Sequence, residues 1–255
     1  MSAGETPRAN SDTIPAMTRL IETGEFDLDK TITATYFTLR WAIVGIAAAF
    51  PLLLWIGGWW VYGKGLQDSL SAYYCTGMRN WFVGVLFSVA ACLFAYKGLS
   101  DREDNLLNGA AILSVLTAVN PLCWHPRWWF LPWGTPHDVF AVTFFVMIAL
   151  ACWLCQDDSL NLGLVPPEKQ RAYRLKYTLT GLALVLFPAI AVVLHFGPLR
   201  RSFQAWIFWV EAAAIWVFAF YWYTKSGELR DAIGAQIRRR RAREVGRTEG
   251  GKQAL

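Results

Sequence analysis

The chain has 255 residues, of which 55% are hydrophobic and only 17% charged, with 14 Trp and a formal net charge of +5. A soluble domain of this size has no use for so much apolar surface, so the composition excludes an ordinary water-soluble fold and makes a bilayer the expected solvent. Crossing ~30 Å of hydrocarbon at ~1.5 Å per residue takes about 20 apolar residues. Six runs answer to that: 36–60, 81–96, 106–124, 139–155, 177–196 and 203–223. All are expected as helices, because in lipid every backbone polar group has to be satisfied within its own segment.

The expected fold is therefore all-α, a polytopic bundle of six transmembrane helices over 36–224, with a polar tail at 1–35 and a basic tail at 225–255. Lys and Arg set its orientation. The two tails, Arg40 near the start of the first run, and the second and fourth connections hold 19 of them, and the other three connections hold 5. By the positive-inside rule both termini lie in the cytoplasm, and a multi-pass protein of a bacterial inner membrane is expected. The first apolar run is too long for the core of a cleavable signal and lacks a small-residue cleavage site after it, so it is expected to stay as an anchor.

In chain order, the first run contains Gly45 and Pro51 and ends in Trp59, Trp60 and Tyr62, rings suited to a membrane interface. The stretch 68–80, Asp-Ser-Leu-Ser-Ala-Tyr-Tyr-Cys-Thr-Gly-Met-Arg-Asn, then leads into the second run from the outer side. Between runs two and three lies Gly98-Leu-Ser-Asp-Arg-Glu-Asp-Asn105. Ser100 or Asp101 is expected to cap the third helix, with Glu103 and Asp104 in its first turn, where carboxylates suit the helix dipole. The aromatic outer connection 126–136 suits a headgroup layer. Cys152-Trp-Leu-Cys155 resembles a redox or zinc motif in form, yet it ends an apolar helix on the reducing side with no second pair facing it, and packing explains it better. Run five carries Pro188, and run six carries Glu211 some way below its outer end. Beyond Lys225, Leu229, Ile233 and Ile237 recur every fourth residue before the basic run 238–243, which fits either a topology-fixing tail or a surface helix meeting anionic lipid. No reading module for nucleic acid accompanies it.

Sorted by depth, the polar residues gather on the outer side. All 3 His, namely His125, His137 and His195, fall at the outer ends of runs three, four and five. Ser69, Ser71, Tyr74, Arg79, Asn80, Asn120 and Asp138 belong to the same layer, and Glu211 reaches toward it, with Arg79 as the expected counter-ion. Cys75, His137 and His195 have the composition of a zinc site, whose bound water would attack an ester or amide. Cys75 and Cys123 are the only cysteines in outer connections, where an oxidising compartment would join them as a disulfide, and that use excludes the other.

The run 71–84, Ser-Ala-Tyr-Tyr-Cys-Thr-Gly-Met-Arg-Asn-Trp-Phe-Val-Gly, with Tyr96-Lys97-Gly98, Glu211 and the segment 222–227, resembles uncharacterised six-span membrane proteins of bacteria that carry a Ser-x-Ser-Ala-Tyr-Tyr stretch before the second span. More distantly, Ser71-x-x-x-Cys75-Thr76 is similar to the Ser-x-x-x-His segment of the alkaline ceramidase and adiponectin-receptor superfamily of membrane metal hydrolases. Cys75 fills the His slot, the paired His of that superfamily's last helix has no counterpart, and six spans replace seven. Three functions follow as expectations. The first is a membrane protein that binds or senses a lipid-like ligand or partner through its outer polar layer. The second is a metal-dependent hydrolase of lipid-like substrates, and the third a small transporter.

Overall fold

The computed structural model describes residues 28–63, 65–122, 134–161, 165–196 and 200–253, and among them every regular element is helical. In chain order these are α1 (Leu28–Tyr62), a 3-10 turn (Ser71–Cys75), α2 (Arg79–Ala95), α3 (Asp101–Val119), α4 (Pro136–Leu154), the short α5 (Gln156–Asn161), α6 (Pro167–Phe196) and α7 (Arg200–Gln253). The chain divides into two compact units, Met1–Thr38 and Leu39–Leu255. In the first, the described residues are helical, with Thr35 and Thr38 hydroxyls donating to the carbonyls of Thr31 and Ala34 one turn back. The second holds α1 from Leu39 onward and all the later elements.

Runs 36–60, 177–196 and 203–223 fall inside α1, α6 and α7, whereas runs 81–96, 106–124 and 139–155 extend past the ends of α2, α3 and α4, with 123–124 outside the described residues. Four stretches are long and apolar enough to cross a membrane: Thr31–Val61, Pro136–Asp158, Pro167–His195 and Trp206–Arg238. Arg79–Ala95 is apolar but only 17 residues long, about 25 Å at ~1.5 Å per residue. Helix ends and apolar runs differ in both directions because apolar length follows the solvent, whereas helix length follows capping and packing. α7 continues through the basic segment to Gln253, so Leu229, Ile233 and Ile237 stand on one continuous helix. Large apolar side chains cover the outside, among them Trp60 (86% exposed), Trp59, Phe94 and Val193. In water such a surface would be an aggregation hazard, but hydrocarbon solvates it.

The long helices follow one another around a closed circuit. α2 packs on α3, α3 on α4, α4 on α6 and α6 on α7. α1 completes it on both sides. Phe50 meets Phe82 of α2 with ring centroids 5.4 Å apart, and on α7 Trp55 meets Trp209 at 5.6 Å while the Trp216 indole N–H donates to the Ala48 carbonyl at 3.1 Å. Small residues permit the approach. A Cβ on Gly181 of α6 would lie 2.4 Å from the Trp153 indole nitrogen, which donates to the Thr178 carbonyl, so the missing side chain lets α4 and α6 touch.

Ser100 is the cap of α3, accepting from the Glu103 N–H at 3.2 Å, and its own hydroxyl donates to Asp158. Asp104 accepts from the Gly98 N–H at 2.5 Å and pairs with Lys97 at 2.7 Å. The Lys97 ammonium chiefly holds the Asp104 carboxyl below the usual carboxylate range. Glu103 departs from the capping role expected of the whole acidic cluster. It is fully buried, accepts from the Leu99 N–H, and forms an ion pair with Lys225 of α7. Lys225 is only 5% exposed, so it is an interior residue and does not begin a solvated tail. Arg40 is buried too, donating to the Lys225 carbonyl and the Tyr96 hydroxyl at 2.6 Å each. Glu228 accepts from the Tyr177 hydroxyl alongside. Cys152 and Cys155 are buried free thiols, in keeping with a packing role.

Candidate functional site

At the end of the bundle opposite Arg40, the stretch 68–80 folds inward. Ser69 starts the local structure, its hydroxyl oxygen accepting from the Ala72 N–H at 3.0 Å. The 3-10 turn that follows buries Tyr73 and Tyr74 against Phe50, Leu54, Met78, Phe82 and Phe208. Its two preceding N–H groups are left over, as at any helix start. Glu211 of α7 supplies the acceptor: its Oε2 takes the Leu70 N–H at 2.7 Å and the Ser71 N–H at 3.1 Å. A carboxylate at a helix N-terminus satisfies both the orphan donors and the dipole.

The expected Arg79–Glu211 ion pair is thereby corrected. Arg79 is exposed and lies over the Tyr74 ring, 5.0 Å from its centroid, with a 3.4 Å contact from Nη2 to the Tyr74 hydroxyl. It can turn outward because Glu211 already has backbone donors.

α4 delivers the next group. Thr135 and Asp138 form a reciprocal capping box: Asp138 Oδ2 accepts from the Thr135 N–H at 2.7 Å and from its hydroxyl at 2.8 Å. That box fixes the first turn and with it His137, whose ring is 1% exposed between Tyr74 and Phe82, at centroid distances of 5.8 and 5.9 Å. His137 Nδ1 lies 2.9 Å from the Thr117 carbonyl and 3.0 Å from the Asn120 carbonyl. Carbonyls only accept, so Nδ1 carries the proton. In the neutral ring Nε2 is then a bare acceptor, and it is buried with no protein partner. The Tyr74 hydroxyl donates to the Ala118 carbonyl at 3.1 Å and braces the same helix end.

These side chains open onto one cavity of about 930 Å³, counting the part that communicates with the surroundings. Its polar end holds Ser69, Ser71, His137, Asp138, His195 and Glu211, and its walls are mainly apolar, with Phe50, Phe82, Leu86, Phe144, Phe145 and Pro188 among them. Six residues expected in an outer layer thus meet in space. Tyr74 and Asn120 serve the site indirectly by holding His137, while Asn80 and Cys75 are exposed and do not line it. The apolar wall was not foreseeable, because a Phe facing a cavity and a Phe facing lipid have the same sequence signature.

Cys75 is disulfide-bonded, so its sulfur is no thiolate and the zinc role expected of it is corrected. Cys92, Cys152 and Cys155 are free, and Cys123, like His125, lies outside the described residues. Among the described residues no group of three or more His, Cys, Asp or Glu is arranged to hold a metal. Comparison with protein-family models, curated proteins and solved structures found no match, so the site is read from its own residues.

Proposed function

We propose that the protein is a six-span membrane protein that binds a lipid-like amphiphile inside its helix bundle, chain against the apolar wall and head group at the His137–Glu211 end. The observation that carries this reading is the division of one cavity into an apolar wall and a polar end built from four separate elements. Pockets of this kind use apolar lining for affinity and a few placed polar groups for orientation. Both termini face the cytoplasm of a bacterial inner membrane in this reading, supported by the 19 to 5 division of cations, and the polar end then sits near the outer leaflet. The basic run 238–243 would meet anionic lipid headgroups on the other side. A metal-dependent hydrolase has less support, since Cys75 is spent in a disulfide.

Native mass spectrometry of protein released from mild detergent tests the reading. Wild type is expected to retain about one amphiphile per chain. Ala141→Trp, which places an indole in the cavity, is expected to emerge empty with an unchanged melting temperature. Retention of the same lipid by a folded Ala141→Trp would sink the reading.

A further inference from the structure

We propose that the head group this cavity selects is a hydrogen-bond donor carrying no negative charge, a primary amine or a hydroxyl, and that the site discriminates against carboxylate and phosphate heads. This rests on the reading of the cavity as an amphiphile site and specifies the chemistry of its polar end.

What the lining has left to offer is mainly acceptors. Asp138 uses Oδ2 for Thr135, and Oδ1 has no partner among the described residues. Glu211 uses Oε2 for Leu70 and Ser71, and Oε1 likewise remains. His137 commits its Nδ1 proton to the two carbonyls and leaves Nε2 as an acceptor buried without a partner. Deeper along the wall, the Ser114 hydroxyl donates to the Leu86 carbonyl at 2.9 Å and that of Thr117 to the Leu113 carbonyl at 2.8 Å, so both protons are spent and only oxygen lone pairs face outward. No Lys or Arg is among the described residues that line the cavity, and Arg79, the nearest expected cation, is stacked on Tyr74 outside it.

Two carboxylates and an imidazole acceptor repel an anion, and against them the polar end sets only the Ser69 and Ser71 hydroxyls and the His195 imidazole, with no Lys or Arg. An ammonium or hydroxyl head answers the same groups with N–H or O–H. Buried polar groups left unpaired by the wrong head are what makes such a site selective. The second, independent observation is His137 itself, since an imidazole this buried with an unanswered nitrogen is an unfilled hydrogen-bond requirement at the cavity end.

The test measures binding of dodecylamine, dodecanol and dodecanoate to the full chain in lipid nanodiscs at pH 8, each corrected for its partition into empty nanodiscs. The expected result is that the amine and the alcohol bind at least 10-fold more tightly than the carboxylate. Glu211→Gln keeps an oxygen for Leu70 and Ser71 but turns a donor toward the cavity, and it is expected to shrink that ratio to less than 3-fold. Equal or tighter binding of dodecanoate by wild type overturns the head-group proposal while leaving the cavity an amphiphile site. Equal binding of all three by wild type and by Ala141→Trp overturns the underlying reading as well, because the cavity is then not where they bind.

Discussion

Glu103→Ala is expected to destabilise the bundle by about 3–5 kcal/mol, and Lys225→Ala by a similar amount, because either change strands a buried charge. The pair joins α3 to α7, helices that are not neighbours in the circuit, so it spans the interior. Glu103 is 0% and Lys225 5% exposed, and the charges around them nearly balance: Arg40 adds a cation and Glu228 an anion. The Tyr96 ring lies under the Arg40 guanidinium at 5.2 Å and meets Trp222 edge-on at 4.9 Å, which ties α1, the end of α2 and α7 into the same cluster. The double substitution Glu103→Leu with Lys225→Met removes both charges at roughly constant volume. It is expected to cost less than either single change, since isosteric apolar replacement of a buried pair is often close to neutral. Unfolding by denaturing detergent of wild type, Glu103→Leu, Lys225→Met and the double change closes the cycle. Costs for the double change that equal the sum of the two singles would show that the pair is not coupled.

Glu211→Ala is the second large effect, expected near 3 kcal/mol, with Glu211→Gln well under half of that. Two backbone N–H groups depend on one carboxylate, and hydrogen bonds to a charged group contribute about 1.5–3 kcal/mol each. The amide oxygen of Gln can still accept from Leu70 and Ser71, whereas Ala leaves both donors unanswered beside an apolar wall. The expected signature is local as well as global. Amide exchange across 69–74 should accelerate in Glu211→Ala while exchange around the Glu103–Lys225 pair, at the other end of the bundle, changes little. A Glu211→Ala protein with wild-type exchange over 69–74 would mean that the 3-10 turn holds itself and that the carboxylate is there only for the cavity.

Helix positions and the cap of α3 were legible in the chain because both rest on local signals, apolar run length in one case and a Ser followed by acids in the other. Convergence of Ser69, Ser71, His137, Asp138, His195 and Glu211 was legible only as shared depth, since six helices can carry polar ends at one level without turning them toward each other. The partner of Glu211 was misread because charge complementarity points to Arg79, while the actual donors are backbone N–H groups that every residue carries and no sequence marks. Arg40 and Lys225 were misplaced for a related reason. A cation near a helix end reads as a topology signal, and its stem length hides whether the head reaches water or, as here, a buried carboxylate.

An amphiphile that enters the bundle can be caught there by photolabelling with a dodecylamine that carries a diazirine in its chain. Peptide mapping should find the label on cavity-lining positions such as Val142, Phe145, Val192 and Ile215, with Ala141→Trp suppressing it. Label confined to the outward-facing Trp60, Phe94 and Leu182, unchanged in Ala141→Trp, would contradict that entry.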